Sequence, residues 1–172
     1  MKKVSIFNGF QEVIEKMKPV VKILFVCHGN ICRSPMAEFV FKMLVKENNL
    51  SYKYDCDSRA TTREEIGNGI YPAAKRELFR RGVKIGEHSA DQMSQKDYEE
   101  FDLIVGMDDE NMWDLDRMTK GDPLKKVRRL MDYTDTPGEV SDPWYTGKFE
   151  RAYDDIYLGC TCLLKALEEG KA

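Results

Sequence analysis

Lys22-Ile23-Leu24-Phe25-Val26-Cys27-His28-Gly29-Asn30-Ile31-Cys32-Arg33-Ser34-Pro35 joins an apolar run, a glycine-containing loop and a helix start without a break. Lys22 to Cys27 is rich in β-formers and almost continuously apolar, the pattern of a strand buried on both faces. A helix is expected from about Arg33, with Pro35 in its first turn and Met36, Val40, Met43 and Leu44 on one face. Working outward, Tyr52 to Asp57 reads as a second strand, and Pro72 to Arg81 as a helix stopped by Gly82. Phe101 to Met107 reads as a buried strand followed by an acidic helix start, Asp108 to Asn111. Lys126 to Met131 is a candidate fourth strand, and Gly138 to Gly147 a turn-rich loop. Phe149, Ala152, Ile156, Cys160, Leu163, Leu164 and Leu167 mark a long C-terminal amphipathic helix. Strands alternating with helices predict an α/β fold with a parallel sheet and right-handed crossovers. Ligands of such sheets sit at the carboxyl ends of the strands, where the loop after Cys27 lies.

At 172 residues the chain has the length of about one domain. Hydrophobic residues at 42% and charged residues at 33% fit a soluble globular protein and exclude a disordered one. A formal net charge of −3 disfavours a globally basic nucleic-acid binder but leaves room for one small basic site. Five unevenly spaced cysteines argue against a secreted disulfide framework and for a reducing compartment, with the cytoplasm as default. Lys2 and Lys3 are followed by a stretch that Asn8, Gln11, Glu12 and Glu15 interrupt, so no signal-peptide core is expected. No apolar run approaches the roughly 18 residues of a membrane span. Residues 1–19 read as an extension before a domain at 20–172. There Asn8 and Gln11 resemble a capping box, and Phe10, Val13, Ile14 and Met17 share one helical face. This short amphipathic helix is either an add-on to the main body or an upstream start.

The loop carries the chemistry. Cys27 and Arg33 form Cys-x5-Arg between a buried strand and a helix start. A loop curling around a tetrahedral anion needs successive backbone N–H groups pointing inward. Gly29 and Asn30 tolerate the positive φ of such a curl. The helix near Ser34 adds its positive dipole end, and Arg33 offers a planar fork for two phosphate oxygens. Cys27, at the floor, faces these positive partial charges, which favour its nucleophilic thiolate. Expulsion of an alkoxide or phenoxide needs a general acid. Asp142, in Ser141-Asp142-Pro143-Trp144-Tyr145, is the candidate, with Pro143 stiffening the loop and Trp144 and Tyr145 as walls for an aromatic leaving group. The plain alternatives are a core thiol at Cys27 and an ordinary Asp-Pro turn at Asp142. Cys56, Cys160 and Cys162 read as packing residues, and Lys125, Lys126, Arg128 and Arg129 as a solvated strand edge.

Val26 to Pro35 together with Ser141 to Tyr145 resembles the low-molecular-weight protein tyrosine phosphatases. The resemblance runs from about Val20 to Leu167. It implies a four-stranded parallel sheet flanked by helices on both faces, with a phosphate-binding loop after the first strand. It implies Cys27 as nucleophile, Arg33 as phosphate clamp and Asp142 as general acid and base. His28, Gly29, Asn30, Ile31, Cys32 and Ser34 would bind phosphate, with Trp144 and Tyr145 against the substrate. Ser34 would also stabilise the thiolate, and Ser58 and His88 would hold Asn30. Cys32 would pair reversibly with Cys27 and guard it from over-oxidation, the alternative being an inert core thiol. The resemblance implies no metal or cofactor, a phosphotyrosine protein as substrate and, for bacterial members, a tyrosine kinase as opposing partner. A monomer is the default. Glu64 stands where many members carry a cleft-wall aromatic, Arg59 where a small residue is usual, and Trp144 where Tyr is frequent. Ile31, where the family's arginine phosphatases resemble one another in a Thr, favours phosphotyrosine over phosphoarginine. A thiol-dependent arsenate reductase is the alternative of another class. It needs further cysteines for a relay, and none lies between Arg59 and Gly159.

Overall fold

The computed structural model describes residues 17–172 together with Gly9, Gln11, Val13 and Ile14. Four strands, β1 (Val21–Cys27), β2 (Tyr54–Ala60), β3 (Leu103–Gly106) and β4 (Val127–Arg129), form one sheet in the order β2-β1-β3-β4. Every pairing is parallel, with Val21 opposite Tyr54, Ile23 opposite Leu103 and Ile104 opposite Val127. The helices are α1 (Arg33–Glu47), α2 (Pro72–Arg80), α3 (Gln95–Glu100), α4 (Asp109–Met118), α5 (Pro143–Thr146) and α6 (Phe149–Glu168).

The pleat of β1 divides the interior in two. Ile23, Phe25 and Cys27 pack with Met36, Val40, Phe41 and Leu44 of α1 and Ala152, Ile156, Cys160 and Leu163 of α6. Leu24 and Val26 point the other way, into a smaller cluster with Tyr98, Ile104, Leu115 and Val127. A strand covered on both faces has no polar side, which is why Lys22 to Cys27 is apolar without alternation. The chain leaves β1 toward β2 on one side and later returns to β3 on the other. The carboxyl end of β1 is therefore a topological switch point, and the loop 28–32 lies there.

Three expectations needed adjustment. The second strand begins at Tyr54, not Tyr52, and runs to Ala60. Its buried residues are Tyr54, Cys56, Ser58 and Ala60, and two of these are too small to read as an apolar face. The fourth strand stops at Arg129, where Leu130–Tyr133 turns into a 3₁₀ helix. The loop at 138–147 contains the four-residue helix α5, capped by Asp142 itself. Helix α3 was not expected; it starts on a Ser94–Asp97 capping box and buries only Tyr98, too little for a periodic signal.

Asn8 and Phe10 of the N-terminal pattern lie outside the described residues. Gly9, Gln11, Val13 and Ile14 are helical, and Val13, Ile14 and Met17 are exposed. Among the described residues no helix is long and apolar enough to cross a membrane.

Candidate active site

Cys27 is the last residue of β1, and Arg33 the first of α1, so strand and helix fix the two ends of the loop between them. Five residues must turn the chain from the sheet edge into the helix. Asn30 makes the turn in the left-handed region, at φ 57°. Gly29, expected to share this conformation, is not among the residues with positive φ. Its lack of a side chain serves a different end: a Cβ there would lie 3.2 Å from Cγ of Glu65.

The strained residue is held on every side. The Asn30 side-chain amide donates to Ser34 Oγ and Ser58 Oγ, both at 2.9 Å, and Oδ1 accepts from Asp91 N–H at 3.2 Å. His88 Nε2 lies 2.8 Å from the Asn30 carbonyl oxygen. A carbonyl only accepts, so Nε2 carries the hydrogen. Ser58 and His88 thus both contact Asn30. Ser58 Oγ donates in turn to Glu38 Oε2 at 2.6 Å, and Lys42 Nζ donates to Glu38 Oε1 at 2.5 Å. Glu38 is buried, and Oε2 lies 4.0 Å from His88 Nδ1. Sequence reasoning missed Glu38, since Glu38 and Lys42 four residues apart look like an ordinary surface pair.

Inside this frame the sulfur meets polar hydrogens. Ser34 N–H donates to Cys27 Sγ at 3.4 Å, and Ser34 Oγ is 3.1 Å from the same sulfur. Ser34 Oγ accepts from Asn30 and from the Cys27 thiol and donates to the Arg59 carbonyl at 3.3 Å; once Cys27 is a thiolate, the hydroxyl hydrogen has the sulfur as a second acceptor. Cys32 is also buried at the site; burial first, and then neighbouring Cys27, pushes its thiol up to about 12.

Arg33 is 2% exposed and shared between two carboxylates. Nη1 donates to Asp108 Oδ2 at 2.5 Å and to the Val140 carbonyl at 3.2 Å, while Nη2 donates to Asp142 Oδ2 at 3.0 Å. Burial works against its charge, but Cys27, Asp108 and Asp142 outweigh burial and hold its pKa above the ordinary guanidinium value. Asp108 caps α4 with its other oxygen, which accepts from Asn111 N–H at 2.7 Å. The acidic helix start was visible in the sequence; that its first carboxylate reaches back to Arg33 was not.

Asp142 arrives on a separate tether. Val140 N–H donates to the Met107 carbonyl, just past β3, at 2.9 Å. Two residues on, Asp142 Oδ1 accepts from Trp144 N–H at 3.0 Å. Trp144 meets Tyr71 edge-on at 5.3 Å, and Tyr71 stacks on Phe149 at 5.8 Å. A cavity of about 150 Å³ opens between these parts. Cys27, His28, Gly29, Ile31, Cys32, Arg33, Asp142, Trp144 and Tyr145 all line it. Asn30 and Ser34 stand behind it with Ser58 and His88. Its mouth carries Glu64, Glu65 and Glu110, and Glu64 Oε2 lies 3.0 Å from His28 Nε2. Among the described residues no group of three or more His, Cys, Asp or Glu is placed to hold a metal ion.

The model of the low molecular weight phosphotyrosine protein phosphatase family matches residues 22–172. The low molecular weight protein-tyrosine-phosphatase YfkJ of Bacillus subtilis is 37% identical over 154 residues, 88% of this chain and 99% of that one. The crystal structure of YfkJ superposes with a TM-score of 0.85 over 91% of this chain and 99% of its own. The human low molecular weight phosphotyrosine protein phosphatase is 36% identical, covering 83% of this chain and 93% of its own length. The structure of a Drosophila arginine phosphatase matches with a TM-score of 0.80 at 30% identity, over 86% of this chain and 98% of that one. On the fold, the loop after β1 and these matches, the chain belongs to the low-molecular-weight phosphotyrosine protein phosphatase family.

Proposed function

We propose that this chain hydrolyses phosphotyrosine in proteins, and small aryl phosphates with it, through a cysteinyl-phosphate intermediate. The observation that carries the reading is the meeting of Cys27, Arg33 and Asp142 around one cavity, with Ser34 N–H and Oγ on the Cys27 sulfur. A phosphoryl group enters with its oxygens toward the loop N–H groups and Arg33. A dianion competes with Asp142 for Nη2 of Arg33, so substrate binding releases the carboxyl group from its ion pair. Released from Arg33, the Asp142 carboxylate takes up a proton from solvent; the Cys27 thiolate then attacks phosphorus, the bond to the tyrosine oxygen breaks, and Asp142 gives that oxygen this proton. Water then attacks the cysteinyl phosphate while Asp142 takes a proton from it. The S–P bond breaks, phosphate leaves, and Ser34 Oγ–H stabilises the returning thiolate. His28, Gly29, Ile31 and Cys32 complete the phosphate pocket, and Trp144 and Tyr145 flank the phenyl ring. Ser58 and His88, with Glu38, hold the turn at Asn30.

The test is hydrolysis of a small aryl phosphate by the wild type and by Cys27→Ser. Loss of essentially all turnover is expected, and equal activity in the two proteins ends the reading. Ile31, 8% exposed at the pocket, supports phosphotyrosine over phosphoarginine. Rates on matched phosphotyrosine and phosphoarginine peptides decide between them. Residues 1–19 stand outside the catalytic domain in this reading, in keeping with a family match that begins at residue 22. A thiol nucleophile fits a reducing compartment, the cytoplasm, where a monomeric enzyme would oppose a tyrosine kinase. All five cysteines are free.

A further inference from the structure

Glu110 belongs to two hollows at once. It stands at the mouth of the catalytic cavity, and it also begins a shallow groove along α4 lined by Trp113, Asp114, Asp116 and Arg117. Glu110, Trp113, Asp114 and Arg117 fall at i, i+3, i+4 and i+7, so they share one helical face. Trp113 is 71% exposed, the indole of a large apolar residue left in solvent beside carboxylates. Arg117 pairs with Asp114, while Glu110 and Asp116 are exposed. An open indole face flanked by negative charge attracts a guanidinium or ammonium group and repels a carboxylate. Glu64 and Glu65, which line the same cavity, carry the same sign.

We propose that the groove on α4 lined by Glu110, Trp113 and Asp116 is a subsite for a basic side chain of the substrate, an arginine or lysine close in sequence to the phosphotyrosine. The inference rests on the phosphotyrosine reading, because the phosphoryl group in the loop fixes where the flanking chain emerges. Trp113 lies about 4.5 Å along the helix axis beyond Glu110. One or two residues of extended chain, at about 3.3 Å each, cover that distance. The basic residue therefore sits within about four positions of the phosphotyrosine, once side-chain reach is included.

The experiment is a scan of phosphotyrosine peptides carrying one Arg, or one Glu, at each position from four before to four after the phosphotyrosine. Each is assayed for kcat/KM beside free phosphotyrosine. At the matching register Arg is expected to raise kcat/KM about fivefold over Ala through KM, with a smaller gain at high salt. In Trp113→Ala that gain should disappear, and in Glu110→Gln it should shrink, with melting temperatures unchanged because both side chains are exposed. A flat scan on an enzyme that hydrolyses free phosphotyrosine overturns the subsite alone. So does an Arg preference that survives in Trp113→Ala. Failure of the wild type on free phosphotyrosine overturns the phosphatase reading, and this one with it.

Discussion

The two sides of the catalytic cavity are built on different terms. The loop from Cys27 to Arg33 is held from behind: Asn30, Arg33, Ser34, Glu38 and Ser58 are all buried. Hydrogen bonds link Asn30 to Ser34 and Ser58, and Ser58 to Glu38, while Arg33 reaches across to Asp108 and Asp142. The acid side has fewer ties: Val140 N–H is bonded to the end of β3, Arg33 reaches the Val140 carbonyl and Asp142, and beyond them Trp144 and Tyr145 are 55% and 84% exposed. The comparison teaches a division of labour. Charge stabilisation of a phosphoryl group needs donors that do not reorganise, so it is placed where the core fixes them. Proton delivery and contact with the leaving group tolerate a looser mount. A change on the buried side should therefore damage folding and every substrate together. On the exposed side it should damage turnover in proportion to what the leaving group requires.

The sharpest test of that division is Asp142→Ala. Turnover of phosphotyrosine should fall by about 10²–10⁴-fold, the usual range for a positioned acid. An aryl phosphate whose leaving group needs no proton should lose far less. The change removes the cap of the four-residue α5 and one of the two carboxylates on Arg33, which keeps Asp108, so the melting temperature should fall by about 2–6 °C. An equal loss for both substrates would take the proton-donor role away from Asp142.

Next in size comes Asn30→Ala. Alanine cannot replace the bonds to Ser34, Ser58 and Asp91 N–H, and it strains at φ 57°. Loss of about 3 kcal/mol is expected. That is about 10 °C in melting temperature for a domain of this size. Turnover should fall about 100-fold for good and poor leaving groups alike, since the misplaced loop serves both. A substrate-dependent loss would mean that the two sides of the cavity are not separable. Trp144→Ala follows. It removes one aromatic wall and its edge contact with Tyr71, and should raise KM for phosphotyrosine about threefold to fivefold with little change in stability.

How legible each side was in the sequence follows from the same contrast. Cys27, Arg33 and Ser34 are contiguous with a strong strand and a strong helix, and Asp142 is marked by Pro143 and two aromatics. Local pattern sufficed to single them out as candidates. Glu38 and Asp108 could not be read so, because their partners Ser58 and Arg33 lie 20 and 75 residues away. In isolation one resembles half of a surface ion pair and the other a helix cap. The groove beside Glu110 escaped for a similar reason: nothing local to Trp113 says that its side of α4 is turned to solvent. The shift of the second strand to Tyr54–Ala60 has a local cause. Ser58 and Ala60 are buried for their smallness next to the loop, which a count of apolar side chains does not register.

The smallest expected effect compares two thiols within the buried side itself. Cys27 and Cys32 line the same cavity, yet their surroundings differ. Cys27 accepts from Ser34 N–H at the start of α1. Cys32 is pushed up to about 12, by burial before anything else. The raised value means that the neutral thiol persists until the solution approaches that pH. At pH 8 about one Cys32 in 10⁴ would be thiolate. Cys56 and Cys160 are pushed up by burial as well, and only Cys162 is half-exposed. Brief alkylation of the native protein at pH 8, read by peptide mass, should therefore modify Cys27 and Cys162 and spare the other three. Inorganic phosphate should protect Cys27 and leave Cys162 unaffected, because of these two only Cys27 lines the proposed phosphate pocket. Since the thiolate is the reacting form, Cys32 should become reactive only as the pH climbs toward its own value. If Cys32 is alkylated as fast as Cys27 at pH 8, the two sulfurs share one electrostatic environment. The donors of the loop would then not be aimed at Cys27 in particular.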